Sequence, residues 1–232
     1  MRKPTILSDR LRCLLNEISY TDRLIDVGSD HGYSAAFALE NKKAGYVIAT
    51  DLHLPPANRT KEYLLAQGLS EMSEVHCVDG LSNICLTRGD TVLIAGMGGL
   101  EILKILNDAL RSHDGTFPDG IRFILQPQRS FEELREFLSE NGFPIEKEII
   151  CFDRNRVYVG MITTYTGHPY KLDLCEQIIG PDLILRHPDG YKEYLTRKRT
   201  SLVKQSVGRG DITEVIRFID REIINTQKEI SL

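Results

Sequence analysis

Residues 24–33 constrain this chain more than any other stretch. Leu24-Ile25-Asp26-Val27 has the length and apolar content of a short buried strand, and Gly28-Ser29-Asp30-His31-Gly32-Tyr33 follows at once as a tight loop entering a helix. Gly28 and Gly32 have no Cβ, so the backbone here can approach a ligand closely. A helix starting near His31 presents free N–H groups and the positive end of its dipole to the loop. A ligand-binding turn at the carboxyl end of a first strand belongs to open α/β sheets. A dinucleotide fingerprint would read G-x-G-x-x-G and cradle a pyrophosphate. Here the glycines are spaced G-x-x-x-G with Asp30 between them. A carboxylate in that loop repels a pyrophosphate and suits an ammonium or a sulfonium; S-adenosylmethionine carries both and no phosphate. Taken alone, the glycine pair also fits an ordinary strand-to-helix turn with no ligand, so the rest of the chain has to decide.

The units that follow repeat the theme. Residues 5–20 have apolar positions at helical spacing, with Ser8 as a cap. Residues 31–41 read as a first crossover helix and residues 46–50 as a second strand. That strand ends at Asp51-Leu52, about twenty residues past the glycine loop, where a ribose-binding carboxylate is expected. A helix over 55–67 closed by Gly68 leads to a third strand, 74–78, ending in Asp79-Gly80. That pair is either a plain turn or a hydrogen-bonding edge for an adenine amino group. A wholly apolar fourth strand, 91–95, reads as central. It runs into Gly96-Met97-Gly98-Gly99, a second glycine turn on the same sheet edge, and then a helix over 100–110. A fifth strand, 121–125, ends in Gln126-Pro127-Gln128. The next helix, 130–141, carries Ser130 and Glu133 at capping-box positions.

Strands over 145–152 and 157–164 are separated by only Asp153-Arg154-Asn155-Arg156. So short a gap admits an antiparallel hairpin and no parallel crossover. A run of βα units closed by an antiparallel hairpin is the pattern of an α/β, Rossmann-like class I methyltransferase sheet and not of a dinucleotide dehydrogenase. After Tyr165, Gly167-His168-Pro169 and Gly180-Pro181 point to irregular structure. Helices over 191–207 and from Asp211 onward, joined at Gly208-Arg209-Gly210, make an αα-hairpin. Asp211 is the expected cap, with Glu214 completing its box. Tyr194, Leu195, Leu202 and Val203 are placed to meet the stripe Ile212, Val215, Ile216, Ile219 and Ile223. The division is a domain over 1–165 and a small helical, coiled-coil-like domain over 166–232.

Composition excludes several classes. The 232 residues support one sizeable core plus an appendage. There is no membrane-length apolar run and no signal-peptide pattern, so a cytoplasmic protein without membrane contact is expected; the oligomeric state is left open, with a monomer favoured. Cys13, Cys77, Cys85, Cys151 and Cys175 are scattered, which suggests neither a metal site nor a redox pair. Net charge is −4, so nucleic-acid binding would need a local patch. Between Arg186 and Arg209 there is one, with seven basic residues (among them Arg197, Lys198, Arg199 and Lys204) against two acidic. Such a run is either a solvated helix face or a phosphate-binding arm.

The strings Gly28-Ser29-Asp30-His31, Asp79-Gly80-Leu81, Ala95-Gly96-Met97-Gly98-Gly99 and Leu125-Gln126-Pro127, in that order, resemble the bacterial tRNA methyltransferases that modify N1 of adenine 22. The resemblance spans nearly the whole chain. It implies S-adenosylmethionine as cofactor, tRNA as partner and a C-terminal helical domain as the tRNA-binding arm. By that resemblance Gly28, Ser29, Asp30, His31, Asp51, Leu52, Asp79, Gly80, Gly96, Met97 and Gly98 are cofactor-side residues, and Asp30, Gln126 and Gln128 serve the chemistry. Gln128 stands where that family has asparagine, and Asp51 where it has glutamate. In this reading Gln126 and Gln128 accept a hydrogen bond from the adenine amine. Asp30 either holds the methionine ammonium or faces the target base. Tyr33 and Tyr158 are stacking candidates, with core packing the plainer role for both.

Overall fold

The computed structural model describes residues 5–205 and 210–229. Its centre is a seven-stranded sheet made of β1 (Thr21–Val27), β2 (Ala44–Asp51), β3 (Ser73–Cys77), β4 (Thr91–Met97), β5 (Arg122–Pro127), β6 (Ile145–Asp153) and β7 (Arg156–Thr164), in the order β3-β2-β1-β4-β5-β7-β6. The ladders among β1 to β5 are parallel, and β7 runs antiparallel to both β5 and β6. The expected hairpin closure is therefore observed, and β4 sits at the middle of the order.

Strand alternation sorts the core into two layers. Ile25, Val27, Ile94 and Phe123 pack with α4 (Gly99–Ser112) and α5 (Phe131–Glu140). Leu24, Val47, Leu93 and Ile124 pack with α1 (Asp9–Asn16), α2 (Tyr33–Glu40) and α3 (Leu54–Ala66). On β1 this alternation puts Asp26 on the same face as Leu24, buried at the strand's carboxyl end.

Helix ends depart from the sequence reading in instructive places. Helix α1 is shorter than expected, although Ser8 does cap it by accepting from the Leu11 N–H. Helix α2 starts at Tyr33 rather than near His31, with Gly32 in the left-handed region as its N-cap. Ser130 does not cap α5: it is left-handed (φ 56°) with no side-chain hydrogen bond, so the expected capping box is absent. The cause is a tertiary contact. The Gly99 N–H donates to the Arg129 carbonyl at 2.9 Å, pulling the chain before α5 onto the glycine turn.

The segment after Tyr165 is more regular than its breakers suggested. It holds α6 (Leu174–Ile179) and α7 (Pro181–Arg186). Asp173 and Glu176 form a capping box on α6, a signal legible in the sequence and missed because six residues show no periodicity. Helices α8 (Tyr191–Gln205) and α9 (Gly210–Glu229) form the expected pair. Ile212, Val215 and Ile219 pack with Tyr194, Leu195 and Leu202, while Val203 is exposed. The turn expected at Gly208 and Arg209 and the Asp211 side chain lie outside the described residues. The helical segment is docked against the sheet through Val159 of β7 in the same cluster.

A disulfide joins Cys13 of α1 to Cys151 of β6 (Cα–Cα 6.2 Å). This corrects the reading of scattered cysteines, since spacing arguments see only neighbours in sequence and these two lie 138 positions apart. No described helix is long and apolar enough to cross a membrane.

Candidate active site

Two cavities open at the carboxyl ends of β1, β2 and β4 and share Gly28 and Met97 as a common wall. The first, about 220 Å³, is lined by Asp51, Leu52, Asp79 and Gly80 as well. The second, about 300 Å³, is lined by Arg10, Asp26, Ser29, Asp30, Gly96 and Gln128. Gly28 favours glycine: at φ +72° a side chain is strained, and an added Cβ would also push aside the flexible Met97 Cε, 2.1 Å away. The residues predicted on the cofactor side thus converge on one bipartite cleft, except Gly98, which stands just beyond it as the N-cap of α4.

In the first cavity Asp51 accepts from the backbone N–H of Asp30 (3.2 Å) and of His53 (3.1 Å). Those bonds fix the carboxylate yet leave lone pairs on both oxygens for a ligand. Leu52 contributes an exposed apolar side chain at the rim. Asp79 pairs with Lys104 at 3.0 Å on the surface, a contact weak enough to yield to a ligand.

The second cavity holds what the sequence reading missed. Asp26 is 4% exposed and accepts a hydrogen bond from the Ser29 hydroxyl at 2.7 Å. Desolvation raises its pKa to about 6, against the hydrogen bonds from Ser29 and the Ala35 backbone. It reads in sequence as one residue of a buried strand, and only its position at the strand end beside the loop signals a site. Arg10 comes from α1, more than 100 residues from its partner. Its guanidinium donates to the Gln126 Oε1 and lies over the Tyr158 ring at 5.5 Å. Burial lowers its pKa, opposed by Tyr158 and Asp153. Nothing local in the sequence marks Arg10.

The three residues assigned to the chemistry lie in different settings. Gln126 is fully buried, its oxygen taken by Arg10 and its nitrogen donating to the Pro127 carbonyl at 2.7 Å. It therefore holds Arg10 and does not present an acceptor to a base. Gln128 is exposed, with its backbone N–H fixed to the Met97 carbonyl at 2.8 Å. Asp30 has positive φ (55°) and turns its side chain outward, to Arg59 at 2.6 Å and His31 at 3.3 Å. The His31 ring stacks on Tyr33 at 5.3 Å, and Tyr33 meets Tyr63 edge-on.

The basic helix also divides. Successive residues of α8 point about 100° apart. Arg197 reaches the Asn155 carbonyl (2.7 Å) on the hairpin turn and Glu193 on its own helix. Lys198 turns inward to Glu132 (2.6 Å) with a side chain only 16% exposed. Arg199 pairs with Asp220 of α9, and Lys204 is exposed.

The glycine turn is the most easily tested part. An added Cβ at Gly99 would fall 2.2 Å from the Ser130 carbonyl oxygen, a backbone atom with little room to retreat. Gly99→Ala is expected to cost about 1–3 kcal/mol and to displace the 127–130 loop that carries Gln128. A urea midpoint equal to that of the parent protein would contradict this.

A family profile described as a methyltransferase domain matches residues 7–161. A tRNA (adenine(22)-N(1))-methyltransferase of Bacillus subtilis is 32% identical over 152 residues, 66% of this chain and 62% of that one. A putative tRNA methyltransferase of Mycoplasma pneumoniae is 30% identical over 160 residues, 68% of this chain and 71% of that one. Among solved structures, a putative tRNA (m1A22) methyltransferase of Streptococcus pneumoniae, in complex with S-adenosyl-L-methionine, superposes with a TM-score of 0.81 at 25% identity, covering 94% of this chain and all of that one.

Proposed function

The chain belongs to the methyltransferase-domain family, and from that premise we propose that it transfers the methyl group of S-adenosylmethionine to N1 of an adenine in tRNA, at position 22. One observation carries the cofactor assignment. A cavity bearing both a carboxylate, Asp26, and a guanidinium, Arg10, adjoins a cavity bearing a ribose-type carboxylate, Asp51, and the two share the Gly28–Met97 wall. The first matches the ammonium and carboxylate of an amino acid; the second matches a nucleoside.

S-adenosylmethionine, when bound, supplies a methyl group on a positively charged sulfur. Asp26 and Arg10 would hold its amino-acid end, Asp51 would take ribose hydroxyls, and Leu52 with Asp79-Gly80 would line the base side. Adenine N1 would attack the methyl carbon with its own lone pair as the carbon–sulfur bond breaks and its electron pair leaves with the sulfur of neutral S-adenosylhomocysteine, so no residue of this chain has to remove a proton first. Catalysis then rests on holding N1 in line with the methyl carbon and on acceptors near the charge that the adenine gains. Gln128, exposed where the cleft opens, offers its amide to the base. Asp30, whose exposed pair with Arg59 is weak, supplies negative charge at the rim. The relatives named as tRNA methyltransferases support tRNA as the substrate, and Arg197, Arg199 and Lys204 are the arm's candidate contacts.

Protein mixed with labelled S-adenosylmethionine and unmodified tRNA is expected to yield 1-methyladenosine on nucleoside mass spectrometry; no transfer with cofactor binding intact would reject the reaction. Asp30→Asn is expected to lower kcat by about tenfold, the scale of one charged contact, with S-adenosylmethionine affinity nearly unchanged. A matching loss of cofactor affinity by calorimetry would move Asp30 to the cofactor side.

A further inference from the structure

A third cavity of about 350 Å³ lies between the β6–β7 hairpin, the start of α5 and the inner face of α8. Its lining includes the cations Arg156, Arg197 and Lys198 and the rings of Phe131, Tyr158 and Tyr194, and no carboxylate lines it. Arg156 is exposed at the end of the hairpin turn. Arg197 spans the mouth from α8 to the Asn155 carbonyl, and its pair with Glu193 is exposed and so weak. The volume is at the small end for a ligand pocket, room for one nucleotide and not for a duplex. Gln128 lines both this cavity and the reaction cleft, so the two are consecutive along one surface.

Guanidinium groups at a rim above aromatic rings are the means by which proteins hold unstacked nucleotides: the cations take the phosphate and the rings take the base. A target adenine that enters the cleft past Gln128 must leave its stack, and the nucleotide joined to it comes out alongside. We propose that this cavity holds that neighbouring nucleotide of the tRNA, with its phosphate on Arg156 and Arg197 and its base against Phe131 and Tyr158. The proposal rests on the methyltransferase reading and adds to it a second nucleotide subsite, built jointly by the sheet and the helical segment.

The test uses the full chain and a fluorescently labelled, unmodified tRNA transcript, with binding read by anisotropy across a salt series and methylation read separately. Arg156→Ala, at an exposed hairpin position where folding is not at stake, is expected to weaken tRNA binding about tenfold. It should flatten the slope of log K against log salt by about 0.7–0.9, the share of one phosphate contact, and leave S-adenosylmethionine affinity unchanged. A neutral methylphosphonate placed beside the target adenine should weaken the parent protein to a similar degree and the Arg156→Ala variant little further. If the two losses multiply, or if Arg156→Ala binds like the parent, the subsite is overturned. If the parent protein forms no 1-methyladenosine while the two losses still overlap, the reaction assignment fails and the nucleotide subsite stands.

Discussion

Asp26→Asn is expected to weaken S-adenosylmethionine binding by about ten- to a hundredfold, the value of a charged hydrogen bond of roughly 1.5–3 kcal/mol. The same change is expected to flatten the pH dependence of the ligand-free protein. Both effects follow from a carboxylate that is 4% exposed with its pKa raised from 3.8 to about 6, chiefly by desolvation. A carboxyl whose folded pKa lies above its unfolded value binds more protons folded than unfolded. Its contribution to stability is therefore greatest below pH 4 and is lost as pH rises through 6. A shift of about two units bounds that loss at roughly 3 kcal/mol. An amide cannot ionise, so the Asn variant should lose this segment of the pH profile.

Ligand binding has the opposite sign. An ammonium needs the ionised carboxylate, so affinity in the parent protein should fall by up to about tenfold per unit as pH drops below 6, and Asp26→Asn should be insensitive there. Calorimetric titration with S-adenosylmethionine between pH 5 and 8, paired with urea unfolding over the same range, checks both. Unchanged affinity in the variant would remove Asp26 from the amino-acid end of the site.

Arg135→Met is expected to destabilise the protein by about 3–5 kcal/mol, the cost of stranding a buried charge. Arg135 and Glu148 are both 0% exposed and paired at 2.8 Å. Arg135 also donates to the carbonyls of Gln177, Ile178 and Ile179 at the end of α6. Glu148 accepts from the N–H groups of Asp182 and Leu183 in the first turn of α7. Each charge thus faces the end of a short helix whose dipole it complements, and together they clamp α6 and α7 to the sheet.

Burial pushes the Glu148 carboxyl up while Arg135 opposes it. Without Arg135 the raised carboxyl should make the variant's deficit largest at neutral pH and smaller toward pH 4. The double change Arg135→Met, Glu148→Gln removes the stranded charge and keeps an acceptor for α7, so it should recover much of the loss. Urea denaturation of the single and double variants at both pH values is the check. A single variant within about 1 kcal/mol of the parent would mean that the clamp is dispensable.

The pattern of short apolar runs ending in glycine or acid was enough to place the strands of the sheet, because buried parallel strands advertise themselves locally. The four-residue gap at 153–156 likewise dictated the closing hairpin. The cleft's Gly28, Asp51, Gly80 and Met97 were legible because each sits at a strand end, where this topology gathers its ligands. Other features followed rules that no window of sequence contains. Ser130 has the residue type of a cap, yet the bond from Gly99 to Arg129 turns it left-handed. Lys198 has the neighbours of a phosphate-binding patch, yet the facing of α8 turns it to Glu132.

The sequence by itself thus determined the sheet, its closure and the position of a nucleoside-type cleft, since those depend on periodicity and on turn chemistry within a few residues. Only the tertiary structure decided which charges belong to that cleft. Arg10 with Gln126, Cys13 with Cys151 and Arg135 with Glu148 meet because separate elements are packed together. Their protonation and hydrogen bonding follow from burial, a property of the whole fold and not of any one segment.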